Sequence, residues 1–580
     1  MRKTGFAVVA LAAAVIVALL AVGIQAGADA RPQRYIVVYS PNATKELKAA
    51  VAAAGGQVLR ANNKIGVATV SSAKPSFRTR IAASRIVQGV ARDRVIGRAP
   101  AQSHAKAAPR FSEEFLRSAR KAARGMKATR RASGTYSFQH GSSQPEPLAA
   151  HQWDMRMIHA TVDGSYRKER GDRKVRVGII DTGVDGNHPD IAPNFSRSLS
   201  RNFTVDIPFD PISGEPIDGP CTDEPDGSCN DANDVDENSH GTHVASTVGS
   251  PINGIGMAGV APEVTLVNLR GGQDSGFFFL QPSVDALTYA GDHGIDVVNM
   301  SYFIDPWLYN CSGNPADSAT AQQEQRTIVA ATTRALNYAR SKGVTLIAAA
   351  GNEHTDMDHP TIDTISPDFP PGTEYTRNVD NGCLTMPTEG PNVVSVGAVG
   401  PTTMKADYSN WGAEGVDVTA PGGYFRDGFG TPIFRTVATQ VLGPYPLSLA
   451  LTEGGVDPDG TPNTPFVVRA CQGATCAYYQ YLQGTSMASP HAVGVAALIV
   501  SRYGHPDPQR GGLELLPHQT EKILTRTATA HACPTPPVLD YTNVGRPPEF
   551  TATCVGTAEE NSIWGAGIVD AFTAVTDRNG

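Results

Sequence analysis

The hydrophobic pattern opens with an unbroken apolar run over residues 6–24, behind Arg2 and Lys3 and ahead of Ala28-Asp29-Ala30. A positive start, an apolar stretch and a small-x-small site make the pattern of a secretory signal peptide, here residues 1–30. A run of this length would also suffice as a retained anchor. The small residues follow directly, however, so removal and export is the expectation. No later stretch is apolar for long enough to span a bilayer. Residues 34–39 (Arg-Tyr-Ile-Val-Val-Tyr) then read as a strand, 45–54 as an Ala-rich helix and 65–70 as another strand. A helical stretch and the segment 90–96 complete a small α+β unit. After residue 170 the pattern changes. Residues 175–180 and 344–350 are apolar runs rich in β-branched residues, as in strands buried on both faces of a parallel sheet. Residues 488–500 read as a small-residue apolar helix with Pro490 in its first turn.

At 580 residues the chain exceeds what one hydrophobic core serves, so more than one folding unit is expected. The 41% hydrophobic and 18% charged residues exclude a mainly disordered chain, and 58 Gly with 42 Pro imply many tight turns. Charge divides the chain more sharply. Residues 31–150 hold 22 Lys and Arg against 5 Asp and Glu, a net +17, whereas residues 151–580 carry −25. That division places a domain boundary and implies mutual attraction of the two parts. A basic segment also suits nucleic acid, but this one has no nucleic-acid motif and sits on an exported chain. Eight cysteines, an even count, suggest disulfides outside the cell. Short separations favour Cys221 with Cys229 and Cys471 with Cys476. That leaves Cys311, Cys383, Cys533 and Cys554, of which Cys533 could join Cys554 and Cys311 could join Cys383.

Four segments carry chemistry. The run at 175–180 ends in Asp181-Thr182-Gly183, which puts a carboxylate at the C-terminal end of a strand, where open α/β sheets place their sites. Ser239-His240-Gly241-Thr242-His243 is polar and then apolar, as at a helix start. The run at 344–350 ends in Gly351-Asn352-Glu353, and Gly484-Thr485-Ser486-Met487-Ala488-Ser489-Pro490 leads into the last helix. Singly, each has a plain structural explanation: a turn former, a packed His, a loop Asn, a helix cap. In the order Asp, His, Asn, Ser they supply a group that orients the base, the base, an oxyanion donor and the nucleophile.

These motifs resemble the subtilisin-like serine proteases over roughly residues 150–580. Lesser echoes are Gly259-Val260-Ala261-Pro262, Tyr408-Ser409-Asn410 and Ala420-Pro421-Gly422-Gly423. The resemblance implies an α/β three-layer fold with a mostly parallel central sheet and helices on both faces. Ahead of it stands a small α+β, ferredoxin-like inhibitory pro-domain at 31–98, joined through a basic linker with the processing site at 99–149. It implies catalysis by Asp181, His240 and Ser486 with Asn352 as oxyanion donor, acting on proteins or peptides. It also implies a structural calcium held by Gln152, Asp190, Pro251, Asn253, Ile255 and Met257, a donor set of oxygen ligands that suits this ion. The stretch 223–237 is acidic enough to hold a second ion, but such charge runs are usually just solvated. The exported enzyme would be a monomer inhibited and chaperoned by its own pro-domain, with no nucleic-acid partner and no stable membrane association after signal removal.

The chain departs from the family pattern at Ser301-Tyr302-Phe303-Ile304, where relatives carry small residues, in a stretched loop at 205–236, and in extra sequence at about 425–480. Bulk at Tyr302 and Phe303 leaves the substrate pocket's shape open. Two other functions are compatible with the sequence: a binding protein on a protease fold, and a metallohydrolase using His188, His240 and His243. The second lacks a His-Glu-x-x-His helix and leaves Ser486 and Asn352 without a role.

Overall fold

The computed structural model describes residues 32–93, 146–209, 217–223 and 227–578. The signal-peptide reading and the linker reading as far as residue 145 lie outside these residues. Two compact units emerge, one ending at Arg92 and one beginning at Asp93.

In the first unit, β1 (Gln33–Tyr39), α1 (Thr44–Ala54), β2 (Gln57–Asn62), β3 (Val67–Ser72), α2 (Phe77–Ala82) and β4 (Val87–Arg92) follow one another in a βαββαβ order. The antiparallel sheet runs β2-β3-β1-β4. Alternate residues Tyr35, Val37 and Tyr39 of β1 join Leu47 and Val51 of α1 and Phe77 and Ile81 of α2 in one core. Strand β2 has no counterpart in the sequence reading; its residues are mostly half-buried or exposed, so no apolar run announces it.

The second unit is built on β5 (Arg176–Ile180), β6 (Arg201–Asn202), α3 (His240–Gly249), β7 (Thr265–Arg270), α4 (Leu280–Asp292), β8 (Val297–Met300), α5 (Ala319–Ser341), β9 (Thr345–Ala349), β10 (Val393–Val399) and β11 (Val418–Pro421). Seven strands form one parallel sheet in the order β11-β10-β9-β8-β5-β7-β6. Then come β12 (Val441–Pro444), β13 (Val467–Gln472) and β14 (Thr475–Leu482), a separate antiparallel sheet in the order β12-β14-β13, and α6 (Thr485–Tyr503). The extra sequence near 425–480 therefore contributes an antiparallel sheet of its own. Helices α3 and α6 pack on each other, as do α4 and α5, and the two pairs cover the sheet. β5, β8 and β9 are buried almost throughout, as their uninterrupted apolar runs require.

The structure contains the two disulfides that short spacing favours, Cys221–Cys229 and Cys471–Cys476, and the remaining cysteines pair as Cys311–Cys383 and Cys533–Cys554. Among the described residues no helix is long and apolar enough to cross a membrane.

Helix α6 begins earlier than its apolar pattern indicates. It starts at Thr485, so Pro490 lies inside it rather than in the first turn. Proline has no N–H, which leaves the Ser486 carbonyl four residues back without its helical donor. The Ser301 hydroxyl donates to that carbonyl instead, at 3.2 Å.

Candidate active site

The ends of β5, β9 and the start of α6 meet the start of α3 around one cleft of about 1120 Å³, lined by His240, Asn352 and Ser486 among others. Asp181, the residue after β5, is fully buried, and its Oδ1 accepts a 2.7 Å hydrogen bond from His240 Nδ1. The Thr182 N–H donates to the same oxygen at 2.8 Å. Burial alone would lower the pKa of His240. The charge of Asp181 and the hydrogen bond between them outweigh it, so the pKa lies above the ordinary 6.5.

His240 is aimed by a residue that the sequence reading did not single out. Asp236 Oδ1 accepts from the N–H groups of Asn238 (3.1 Å) and Ser239 (3.0 Å) and from the Thr182 hydroxyl (3.1 Å). Its Oδ2 accepts from the Thr242 N–H (2.9 Å) and hydroxyl (2.6 Å). One carboxylate thus takes one open N–H group in the first turn of α3, that of Thr242, bonds the N–H of Ser239 (φ 81°) just ahead of the helix, and ties the helix to the end of β5. Its signal in the sequence is an Asp four residues before His240, hidden in an acidic stretch. The contact between these segments is also main-chain close: a Cβ on Gly241 would lie 2.0 Å from the Gly183 carbonyl oxygen.

Asn352 is oriented just as firmly. Its Oδ1 accepts from the Thr485 N–H (2.9 Å) and hydroxyl (3.0 Å), which leaves the Nδ2 hydrogens to face elsewhere. The loop beneath it is pinned by Asn410, whose Oδ1 takes the N–H groups of Glu353 (3.0 Å) and Thr355 (2.9 Å) and whose Nδ2 reaches the Ala350 carbonyl (3.0 Å). Gly351, at φ 105°, packs so closely that a Cβ would sit 2.3 Å from that Nδ2. Ser486 Oγ lies 3.4 Å from the Ser301 carbonyl. Under it, Asn299, Ser301 and Ser489 form a buried network with bonds of 2.8–2.9 Å.

The other histidines of the metallohydrolase alternative are engaged in packing. His188 Nε2 meets the Tyr478 carbonyl and His243 Nε2 the Val441 carbonyl, both at 3.1 Å. Burial lowers their pKa values to about 4 and about 3.

Of the expected calcium ligands, the structure links Asp190 with Met257, and Asn253 with Pro189 beside Asp190. Asp190 Oδ2 accepts from the Met257 N–H (2.9 Å) and the Tyr479 hydroxyl (3.2 Å), Asn253 donates to the Pro189 carbonyl (3.2 Å), and Gln152 bonds Ala258 through both amide atoms. Asp190 Oδ1 is buried with no hydrogen-bond partner, and burial pushes the Asp190 carboxyl up to about 7. A buried carboxylate oxygen lacking a donor is what a cation would satisfy, so these residues fit the ion. Glu146 adds a second acid, its carboxylate taking the Gly254 N–H at 2.8 Å. Pro251, Ile255 and Met257 offer only their main-chain carbonyls.

A separate trio, Asp206, Asp231 and Asp274, could hold a metal by residue type and separation. The Arg270 guanidinium bonds all three, at 2.7 Å for Asp206 and 2.9 Å for Asp274. A buried arginine therefore already supplies positive charge at that point. Of the acidic stretch 223–237, only Asp231 takes part in the trio.

With this geometry in place, comparison with known proteins is informative. The sequence profile described as the subtilase family, Peptidase_S8, matches residues 172–567. The chain is 28% identical over 329 residues to subtilisin DY of Bacillus licheniformis, covering 57% of this chain and 77% of that protein. It is 28% identical over 362 residues to the nisin leader peptide-processing serine protease NisP of Lactococcus lactis subsp. lactis, covering 62% of this chain and 45% of that one. Among solved structures, the epidermin leader peptide processing serine protease of Staphylococcus aureus superimposes with a TM-score of 0.58 at 22% identity, over 95% of this chain and 99% of the other. Fervidolysin from Fervidobacterium pennivorans gives 0.53 at 20% identity, over 94% and 61%.

Proposed function

Because the chain belongs to the subtilase family, whose members are serine endopeptidases, we propose that Ser486 is its nucleophile, in an exported peptidase made as a zymogen. The observation that carries this is the 2.7 Å Asp181–His240 pair in one cleft with Ser486 and the clamped amide of Asn352. A serine hydroxyl is a weak nucleophile until a base takes its proton. Rotation of Ser486 Oγ from the Ser301 carbonyl toward His240 permits that transfer as the oxygen attacks the scissile carbonyl. Asp181 holds the imidazole in the tautomer with Nδ1 protonated and stabilises the imidazolium that forms. Asn352 Nδ2 and the Ser486 N–H, at the positive end of α6, receive the developing oxyanion. His240 then protonates the leaving amine, and water repeats the cycle on the acyl-enzyme.

Reaction with a fluorophosphonate, followed by peptide mapping, tests this. The label should appear on Ser486, at a rate that rises with pH. His240 acts as a base only when neutral, and Asp181 holds its pKa above 6.5, so the half-maximal rate lies above that pH. No label on Ser486 in processed protein would refute the assignment, and chelator-sensitive hydrolysis without labelling would favour a metal-dependent enzyme.

The basic segment 31–98, whose residues 33–92 form the βαββαβ unit, is read as the inhibitory pro-domain, and four disulfides agree with an oxidising destination. The leader peptide-processing relative makes peptides that carry a leader the candidate substrates.

Gln152, Asp190, Asn253 and the carbonyls of Pro251, Ile255 and Met257 are read as the calcium site, where the ion would serve stability rather than chemistry. Removing calcium should lower the melting temperature. At free calcium 100-fold above Kd, the lost stabilisation is about 2.7 kcal/mol. Asp190→Asn should make melting insensitive to calcium; an unchanged chelator response in that variant would move the site elsewhere.

A further inference from the structure

The charged lining of the cleft is one-sided. Apart from His240, its charged side chains are Asp305, Glu353, Asp368 and Glu453, with neither Lys nor Arg among the described residues that line it. Two of these acids serve internal contacts: Glu353 Oε2 takes the Asn410 amide at 2.8 Å, and Glu453 accepts from the Tyr445 hydroxyl. The other two face each other.

Asp305 follows the bulky segment Tyr302-Phe303-Ile304 in which this chain departs from its relatives. It is buried, and its Oδ2 accepts the Phe278 N–H. Asp368 is half-buried and hydrogen-bonded to it. Burial, together with the charge and hydrogen bond of Asp368, holds the Asp305 carboxyl well above the usual carboxylate range. Two carboxyls this close in a low-dielectric wall do not both ionise unless a cation joins them. Beside them the rings of Phe278 and Tyr302 stack, with centroids 4.2 Å apart and planes 7° apart. Such a pair offers an apolar surface to the methylene stem of a long cationic side chain.

We propose that the Asp305–Asp368 pair makes the cleft selective for peptides that present a lysine or arginine side chain to it, with the Phe278–Tyr302 stack carrying the aliphatic stem. The incoming cation takes the place of the proton the two carboxyls share, and that proton leaves to solvent, so the charge of the site balances. The wider electrostatics act in the same sense. The unit carrying the cleft belongs to the stretch 151–580 with net charge −25, which draws cationic peptides in, and the chain's own residues 31–150, at +17, have that character.

The inference rests on Ser486 being the nucleophile, and the test separates the two claims. Mature enzyme is assayed on fluorogenic peptides with lysine, arginine or norleucine placed in turn at each position around the scissile bond. Norleucine matches lysine in shape without its charge. At one position kcat/KM for lysine or arginine should exceed that for norleucine roughly 10- to 100-fold, the worth of a charge-assisted hydrogen bond. Asp368→Asn, folded by its melting curve, should bring that ratio toward one. Equal rates for lysine and norleucine at every position, with Ser486 labelled by fluorophosphonate, overturn the selectivity alone, and this comparison needs no variant. A ratio unchanged in folded Asp368→Asn overturns the assignment to this pair. No cleavage of any peptide, with Ser486 unlabelled, overturns the catalytic reading as well.

Discussion

Ser486→Ala is expected to abolish peptide hydrolysis, lowering kcat on the order of 10⁶-fold, the scale found for triad removal in subtilisin. The fold should survive, because α6 is held by buried small residues along its length and the Ser486 side chain makes only the long 3.4 Å contact with the Ser301 carbonyl. Two measurements check this together. Steady-state kinetics should show loss of kcat with little change in binding of a peptide inhibitor, since the cleft keeps its shape. If the chain removes its own basic pro-region, the variant should also accumulate as full-length precursor. Normal maturation of Ser486→Ala would assign that cut to another protease, while residual hydrolysis near wild-type level would remove Ser486 from the mechanism.

The second large effect falls on Asn352. Substitution by leucine should lower kcat by about 10²–10³ with KM nearly unchanged, because the amide hydrogens act on the oxyanion rather than on the bound substrate. Asn352 also holds Thr485 through Oδ1, so leucine disturbs the start of α6 as well. Asn352→Asp resolves the ambiguity. It keeps an oxygen for Thr485 and replaces the donor with an acceptor, so a loss as large as that of leucine assigns the effect to the donor. Near-normal turnover in Asn352→Asp would mean the residue serves only to place Thr485.

The parallel sheet and the four segments that meet at the cleft were legible because their signals are local. A β-branched apolar run ending in Asp181, or in Gly351-Asn352, states both strand and site within a few residues. Cysteine spacing was as direct for the two close pairs, Cys221–Cys229 and Cys471–Cys476. What escaped has a common cause. Asp236 acts through bonds to Thr182, Ser239 and Thr242, a pattern that exists only after β5 and α3 have met. Strand β2 carries little apolar signal because it is poorly buried. The start of α6 was set too late because Pro490 looks like a first-turn residue, and only the tertiary Ser301 hydroxyl makes its interior position tolerable. Asp305 and Asp368 are 63 residues apart and become a pair only across the cleft wall. The sequence could mark Tyr302 and Phe303 as unusual there, but not what stands behind them.

The near contact of Gly241 with the Gly183 carbonyl has a consequence for how such an enzyme changes over time. Close main-chain approach at Gly241, together with the Asp236 carboxylate, sets the spacing between the β5 end and the α3 start, and through it the Asp181–His240 bond. Mutation at the surrounding positions can then alter the cleft walls, including the sheet formed by β12, β13 and β14, without retuning the proton-transfer apparatus. Diversification of substrate choice is thereby uncoupled from the chemistry. New preferences can be explored in the walls by steps that leave the reaction intact, whereas a side chain at Gly241 collides with the Gly183 carbonyl and displaces the apparatus itself.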